Sequence, residues 1–379
     1  MARNVLKTNN TIVLIPILSS ASAFQTTDTE SNIYSVVQGS SFEVALSHDH
    51  LKQVGTQGLV GNELMAQPDI NLEISYLPEP SFFNDKKTFF SVYPADSTAG
   101  YHNPSVLSGK LEQATNFYFL SNPNEGDDAQ NTFTASGSCA SIDLNGWECV
   151  AFGNCYLTNY SLNYAVGELP EVSISMICSN MKFEQITGKD LQSVAINLDS
   201  GNNKEVGNQD FYYQEAVFSP MILNPTSTGS AVTMENLQVG GQALGGVHCI
   251  QGLNLDVSMD RVSSYGLGND YPYNRELQLP ANGSVAVSSL VSGFEYGPNS
   301  LTGFISGILN NEESYDFEFL FKKTSSAGAD GVARYTVEDA KLAAYSYSTV
   351  VNNVMTFDAS FTFEITEEKG LRMSGTNPY

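Results

Sequence analysis

Few residues in this chain have the types and spacing that chemistry requires. His48 and His50 alternate and would share one face of a strand, which gives only half of a metal site. Residues 199–205, Asp-Ser-Gly-Asn-Asn-Lys-Glu, place oxygen ligands at alternate positions but lack the full spacing of a calcium loop. The glycine-rich residues 240–246 are not followed by the Lys-Ser or Lys-Thr of a phosphate-binding loop. We expect exposed or hydrogen-bonded histidines, a polar turn and a flexible connector.

The sequence also lacks a signature of nucleophilic catalysis, because it contains no Gly-x-Ser-x-Gly element. The cysteines are five, an odd number, and no two have Cys-x-x-Cys spacing; they are Cys139, Cys149, Cys155, Cys178 and Cys249. This pattern disfavours both a disulfide scaffold and a zinc site. We predict buried free thiols made in a reducing cytoplasm, no catalytic, metal or cofactor site, and a protein that is not an enzyme.

The charge balance is strongly acidic, with 41 acidic residues against 17 basic ones and a formal net charge of −24. Such a surface repels phosphate groups, which disfavours a protein that grips DNA or RNA. Two interpretations stay open. The charge serves solubility alone, or it belongs to a surface that passes close to DNA without holding it.

Length and composition predict two all-β domains. The 379 residues exceed the ~250–300 at which a single core usually stops growing. Gly, Ser, Asn and Thr are plentiful and only 15% of residues are charged, which is typical of strands and turns. The apolar run at 11–18 follows Arg3 and Lys7, yet it is short and contains Pro16, so we predict a first strand rather than a signal peptide. No run approaches a membrane span, and we predict no membrane anchoring.

A long hairpin at residues 152–184 is the centre of the predicted fold. Its two arms alternate with period two, and Gly167 and Pro170 mark the turn between them. Strict alternation puts Cys155 and Leu157 on one face of the first arm, and Tyr160 and Leu162 on the other. The apolar face of the second arm is formed by Val172, Ile174, Met176 and Cys178. A hairpin with one apolar face needs a partner sheet to stay folded in water.

The second half of the chain repeats the order of alternating segments in the first half. Five matches carry this prediction: Phe42 with Leu253, Leu72 with Val285, Phe117 with Phe317, Leu157 with Leu342, and Val172 with Met355. Residues 337–345 could form a helical turn by propensity, but their counterpart has strand composition and we predict a strand.

These matches predict an internal duplication. We place a first β unit at 1–185 with a long loop or projecting arm at 78–104. A connecting segment with strands follows at 186–246 and is predicted to supply the opening strands of the second β unit, which runs from 247 to 368. Residues 369–379 are predicted to be a C-terminal arm. The predicted fold class is all-β and mainly antiparallel, as tandem sandwich or barrel-like units with at most one short helix each.

The central hairpin resembles the tail-tube (major tail) proteins of long-tailed bacteriophages. The resemblance lies in residues 153–162, Gly-Asn-Cys-Tyr-Leu-Thr-Asn-Tyr-Ser-Leu, followed by Val-Gly-Glu-Leu-Pro at 166–170 and Val-Ser-Ile-Ser at 172–175. Residues 335–344 and 357–364 are similar to the last strands of the same family. The segments 78–104 and 186–246 have no counterpart in that pattern.

This resemblance implies a structural virion protein whose inner strands join between subunits around a hollow ring. Stacked rings would form the tail tube, through which viral DNA passes without tight binding. The implied partners are further copies of the chain and other tail proteins. A duplicated chain would form trimeric pseudo-sixfold rings, whereas family members with one unit form hexamers. The protein would be made in the bacterial host cytoplasm and end in the virion tail.

Two other functions stay open at this stage. A carbohydrate- or receptor-binding β-sandwich of a virion is suggested by the aromatic residues of the predicted arm, namely Phe82, Phe83, Phe89, Phe90 and Tyr93. The alternative for these rings is docking on a neighbouring subunit. Another virion part, such as a tail terminator or a capsid-decorating protein, would also fit the composition.

Overall fold

The protein is almost entirely β-structure, with one short helix among the residues described. The computed structural model describes residues 11–14, 37–45, 48–52, 59–64, 69–78, 82–94, 105–111, 114–122, 146–165, 168–185, 238–239, 242–243, 249–265, 272–290, 314–323, 331–348 and 356–375. All strand pairs are antiparallel except one. The predicted all-β, mainly antiparallel class is confirmed.

The elements follow one another in two similar series. The first series is β1 (Thr11–Leu14), β2 (Val37–Ala45), β3 (His48–Lys52), β4 (Leu59–Leu64), β5 (Asp69–Tyr76), α1 (Phe83–Thr88), β6 (Val92–Pro94), β7 (Thr115–Ser121), β8 (Glu148–Ala165), β9 (Glu171–Cys178) and β10 (Asn180–Gln185). The second series is β11 (Gln238–Val239), β12 (Gln242–Ala243), β13 (Cys249–Ser258), β14 (Arg261–Tyr265), β15 (Pro272–Leu277), β16 (Ala281–Leu290), β17 (Tyr315–Lys323), β18 (Gly331–Ser348), β19 (Thr356–Ile365) and β20 (Leu371–Gly375).

The central sheet runs in the order β2-β5-β9-β8-β13-β16-β19-β18. We call the strands β2, β5 and β7–β10 unit one, and the strands β13 and β16–β20 unit two. Within each unit the order is the same, and β8 of unit one pairs with β13 of unit two to join them. The strands β8 and β18 are long enough to leave the central sheet. Their first halves pair with β7 and β10 in unit one, and with β17 and β20 in unit two.

One face of the central sheet packs against the core. In β9 the predicted apolar positions 172, 174, 176 and 178 are each at most 2% exposed, which confirms that face. The strands that pair with the first half of β18 lie over this face in unit two. The ring centroid of Phe317 in β17 is 4.6 Å from that of Phe361 in β19. A single cluster of buried apolar residues extends through both units. The layered arrangement follows because each sheet has one apolar face that must be covered.

Irregularities in strand pairing recur at corresponding positions of the two units. A register shift follows Val37 on β2 and Ile250 on β13, each directly before a Gln-Gly pair. A Cβ atom added at Gly39 would lie 3.2 Å from Ser75 Oγ, and one added at Gly252 would lie 3.3 Å from Ser288 Oγ. Three further register shifts occur at corresponding positions. The shift between 115 and 117 in β7 matches that between 315 and 317 in β17, and the shift between 157 and 159 in β8 matches that between 342 and 344 in β18. The β3–β4 hairpin has a shift between 51 and 52, and the β14–β15 hairpin has one between 264 and 265.

A left-handed residue in each long strand strengthens the correspondence. Asn154 in β8 has φ 46° and Asp339 in β18 has φ 55°. Such φ values are uncommon outside glycine, although Asn and Asp tolerate them best. The backbone N–H of Asn154 donates to Asn116 Oδ1 at 2.9 Å, and that of Asp339 donates to Asp316 Oδ1 at 3.1 Å. Unit two therefore repeats unit one in strand order, register, bulges and backbone support.

The registers correct two of the five predicted matches. Those that begin at Leu72, Phe117 and Leu157 agree with the strand pairing. The other two are wrong by two residues, because Phe42 corresponds to Leu255 and Val172 corresponds to Phe357. A slip of two keeps the alternation of a strand intact, so the sequence pattern does not reveal it. The domain limits at 185 and 247 stay a prediction.

Strict alternation along β8 was also a wrong prediction. Leu157, Tyr160 and Leu162 are all buried, whereas Asn159 and Ser161 lie on the face of the sheet opposite the core. The register shift between positions 157 and 159 inserts one extra residue, which reverses the alternation beyond it. The strand prediction for 337–345 is confirmed, because these residues lie in β18.

The segment 78–104 is not a projecting arm in the part that the structure describes. It contains α1 and β6, and the side chains of Phe82, Phe89 and Phe90 are at most 4% exposed. The ring centroid of Phe90 is 5.0 Å from that of Tyr160 in unit one, and the Phe82 centroid is 4.9 Å from that of Tyr335 in unit two. Burying these large apolar rings in the core is more favourable in free energy than exposing them to solvent on an arm.

The C-terminal arm predicted at 369–379 is wrong for residues 371–375. These form β20, a fully buried strand that pairs with β18 on one side and, in parallel, with β6 on the other. Gly370 has φ 112° and allows the turn that brings β20 back after β19. The predicted first strand at 11–18 is confirmed for β1, while the remainder lies outside the described residues.

We predict that Asn116→Ala destabilises the protein by about 1–3 kcal/mol, because the Asn154 N–H would lose its acceptor at a part-buried site. Asp316→Ala removes the same contact at an exposed site and should cost less than about 0.5 kcal/mol. Urea unfolding followed by tryptophan fluorescence measures both variants. Equal decreases in the free energy of unfolding for the two variants would contradict the idea that burial makes the Asn116 contact the more important one.

Candidate assembly interface

The junction between the two units is an antiparallel strand pair. Residues 252–258 of β13 pair with residues 165–159 of β8. On its core side Leu255 lies opposite Leu162, and Val257 lies opposite Tyr160. All four side chains are at most 1% exposed. The junction is thus a tightly closed contact between one unit and the next.

Strands equivalent to the two partners of this junction form the two outer edges of the central sheet. At one end lies β2, the counterpart of β13, and at the other lies the second half of β18, the counterpart of β8. Neither has a second strand partner among the residues described. An open edge presents backbone N–H and C=O groups that can pair with another chain. The central sheet therefore has at its two ends the equivalents of the two strands that pair at its internal junction.

The side chains at these edges resemble those of the junction in type but not in burial. Phe42 and Val44 on β2 correspond to Leu255 and Val257, and Tyr345 on β18 corresponds to Tyr160. Phe42 is 48% exposed, Val44 is 37% exposed and Tyr345 is 47% exposed. Large apolar side chains exposed along a sheet edge mark an interaction site.

The face of the central sheet opposite the core is covered by short polar side chains. One row across neighbouring strands reads Ser75, Ser173, Ser161, Asp256, Ser284 and Thr362. The next row reads Ser41, Glu73, Ser175, Asn159, Ser258, Asn282 and Glu364. We call this surface the open face. A shallow depression on it extends from β8 to β18, lined in part by Asn163, Asn254, Ser288 and Asp358.

The open face is acidic. Its carboxylates in the described strands are Glu43, Glu73, Glu171, Asp256, Asp358 and Glu364, whereas Lys341 is the one basic residue in these paired rows. Asn159 Nδ2 lies 3.4 Å from Asp256 Oδ2, which orients that carboxylate. Such a face repels phosphate groups, and its hydroxyl and amide groups hydrogen-bond water instead.

The β14–β15 hairpin is held across the junction by a part-buried cation. Arg261 of β14 donates from Nε to the Leu157 carbonyl at 2.9 Å, and from Nη1 to the Leu111 and Arg275 carbonyls at 3.0 Å each. Its guanidinium lies 5.2 Å from the ring centroid of Tyr156. Burial lowers the pKa of Arg261 to about 10, so it remains charged at neutral pH.

The side chains of the residues weighed as chemical candidates lie outside the described part of the structure, so their expected roles stay predictions. His48 is the unit-one counterpart of Arg261 in strand register, at the start of the β3–β4 hairpin. No group of His, Cys, Asp and Glu that could hold a metal occurs in the described part of the chain. Residues 199–205 lie outside it. Within 240–246, the predicted connector, β12 pairs with β11.

The predicted free thiols are confirmed for Cys149, Cys155 and Cys178, which are buried. The sulfur atoms of Cys155 and Cys178 are 2.6 Å apart. Burial, together with the hydrogen bond from Cys178, raises the pKa of Cys155 well above its usual range, so this thiol is a poor nucleophile. The side chains of Cys139 and Cys249 lie outside the described residues.

Three of the five aromatic residues that suggested a carbohydrate site lie in the core. Phe82, Phe89 and Phe90 belong to the core and offer no ring face to a ligand. Sequence reasoning did not locate the two open edges, although the repeated order of strands was the signal that could have located them. It did predict an acidic surface without assigning that surface to the open face.

No protein-family model matches the chain, and no curated protein is significantly similar to it. Among the described residues, no helix is long and apolar enough to span a membrane. Function is therefore inferred from the two sheet edges and the open face.

We predict that adding positive charge to the open face creates DNA binding. Asn163, Asn254 and Ala286 are exposed neighbours on three adjacent strands, and replacing all three with Lys should produce binding to duplex DNA. The affinity should fall with salt at a log–log slope of about −0.9 per phosphate contacted. Fluorescence anisotropy of a labelled duplex measures this.

The matched control carries Gln at the same three positions, which keeps side-chain size without adding charge. This control and the wild-type protein should not bind the duplex at the same salt concentration. Tight binding by the wild-type protein would contradict an open face that repels phosphate.

Proposed function

We propose that the protein is a structural virion protein that polymerises as stacked rings into the hollow tail tube of a long-tailed bacteriophage. The tube would carry the viral genome into the host. The observation that carries this proposal is the match between the open edges of β2 and β18 and the closed junction of β13 and β8. A chain that repeats one unit and leaves both halves of the junction open is suited to head-to-tail assembly.

The internal junction supplies a register for the contact between copies. Transferring the β13–β8 pairing onto the edges places residues 41–45 of one copy opposite residues 348–344 of the next. Val44 then faces Tyr345, as Val257 faces Tyr160 within the chain. The exposed apolar side chains of both edges would become buried, and each buried side chain contributes roughly 1.5–3 kcal/mol.

Repetition of this contact by a fixed rotation that closes a ring leaves no edge of the central sheet exposed. Because each chain holds two units, three copies would give a pseudo-sixfold ring, and a hexamer is the larger alternative. The open face would line the bore. Its acidic and hydroxyl-rich surface favours passage of DNA, since basic groups would add an affinity that slows the genome at every ring.

Electron microscopy of the purified protein tests the proposal directly. Hollow rings, alone or stacked into tubes, are the expected result, and their symmetry decides between three and six copies. A protein that stays monomeric at high concentration would contradict the proposal. Abundance in virions separates a tube subunit from a tail terminator, because a tube needs many copies and a terminator few.

We predict that the double variant Val44→Cys and Tyr345→Cys forms disulfide-linked ladders of copies under mild oxidation, because the transferred register places the two positions opposite each other. The ladder is measured by denaturing electrophoresis without reductant. The variant Phe42→Cys and Tyr345→Cys is the off-register control, since its residues would be diagonal neighbours ~7–8 Å apart. Stronger linkage in the control would show that the register is wrong.

A further inference from the structure

Strand β20 of unit two is covered by a segment that comes from unit one. Val92 of β6 lies opposite Met373 of β20 in the parallel pairing. Further along the same segment, the Val106 N–H donates to the Leu371 carbonyl at 2.9 Å. Leu371, Met373 and Val106 are fully buried. Residues 82–94 and 105–111, which lie between β5 and β7 of unit one, thus reach across the junction and cover the outer side of unit two.

The counterpart of β20 in unit one is β10. Each of the two strands follows the hairpin and pairs with the first half of the long strand. The pairing partners make Met181 the counterpart of Leu371, and Phe183 the counterpart of Met373. Phe183 is nevertheless 60% exposed, whereas Met373 is 0% exposed. Within the described part of the chain, no segment covers the unit-one position as β6 and residues 105–111 cover its unit-two counterpart.

The sequence contains a second copy of the covering segment. Residues 104–111 read Pro-Ser-Val-Leu-Ser-Gly-Lys-Leu, and residues 298–305 read Pro-Asn-Ser-Leu-Thr-Gly-Phe-Ile. Both lie between corresponding strands, the first between β5 and β7 and the second between β16 and β17. Gly109 has φ 67°, a value that favours glycine, and Gly303 stands at the same place in the second segment.

The direction in which the first segment extends indicates which unit the second segment would contact. The first segment extends from unit one to the unit that follows it across the β8–β13 junction. In a ring, the unit that follows unit two is unit one of the next copy, which offers β10. The Phe183 ring centroid lies 6.3 Å from that of Phe42, so the uncovered site is continuous with the open edge of β2.

We propose that residues 298–305 of one copy bind β10 of the next copy and cover Phe183. This inference rests on the proposed ring, and adds to it a second contact between the same two neighbours. The occupant is a second copy of this chain, because the segment with the matching sequence belongs to the chain itself. Adjacent copies would then be held by an inner strand pair and an outer clasp.

A photoreactive benzophenone side chain at position 183 tests the clasp. On irradiation of assembled protein, we expect crosslinks to a peptide from residues 291–313, and mixing two isotopically labelled preparations should show that it comes from another copy. The control carries the same group at Lys86, an exposed position on α1. Crosslinks to β2 of the same chain are expected because Phe42 is adjacent. Crosslinks to residues 291–313 of the same chain, or none to those residues of another copy, would overturn the proposal.

The substitution Leu301→Asp provides a second readout. It should leave the thermal unfolding of the monomer unchanged while raising the concentration needed for assembly about tenfold, the factor that 1.4 kcal/mol represents. Leu107→Asp is the matched variant, and it should lower the unfolding temperature because Leu107 is buried within its own chain. Monomer destabilisation by Leu301→Asp would show that the segment binds within its own chain.

The edge variant with Cys at 44 and 345 separates the two proposals. If its ladder forms while position 183 does not reach residues 291–313, the ring stands and the clasp is wrong. If neither forms and no assembly appears, the ring proposal fails and the clasp fails with it.

Discussion

The constraint on which this structure depends is that backbone hydrogen-bonding groups of a sheet must find partners. Within the chain, eight strands satisfy one another across the central sheet, including the join between its two units. At its two ends the groups of β2 and β18 remain open. An edge protected against association would carry charges, a proline or a strong twist. Here it carries Phe42, Val44 and Tyr345, which fits association far better than isolation.

The repeat of register makes the internal junction a template for the external one. The same bulges and the same supported left-handed residues occur in both units, so the two units present similar backbone geometry at their ends. A contact that forms once inside the chain can therefore form again between chains with little new strain. The same reasoning links the buried Met373 to the exposed Phe183, since differences in burial between counterparts show where a neighbour is missing.

Sequence reasoning reached the fold class, the hairpin of β8 and β9, and the order of the repeat, because alternation and turn residues report these directly. It did not reach the register. A shift of two residues at Phe42 leaves the pattern unchanged, and the extra residue at Thr158 reverses the pattern without any mark in composition. The burial of Phe82 and Phe90 was missed for a related reason. Their core positions depend on Tyr335 and Tyr160, which are distant in sequence.

The acidic charge acquires a location only once the strands are in register. Along β13 the side chains alternate between apolar ones in the core and Asn254, Asp256 and Ser258 outside it. Neighbouring strands add Ser, Thr and Glu at the same level, which produces a wide surface on which Lys341 is the one basic side chain of the paired rows. A surface meant only for solubility would not need its charge placed on five of the eight strands of one face. Its concentration there favours a wall beside which a polyanion moves, and curvature of that wall into a ring would place it around the moving chain.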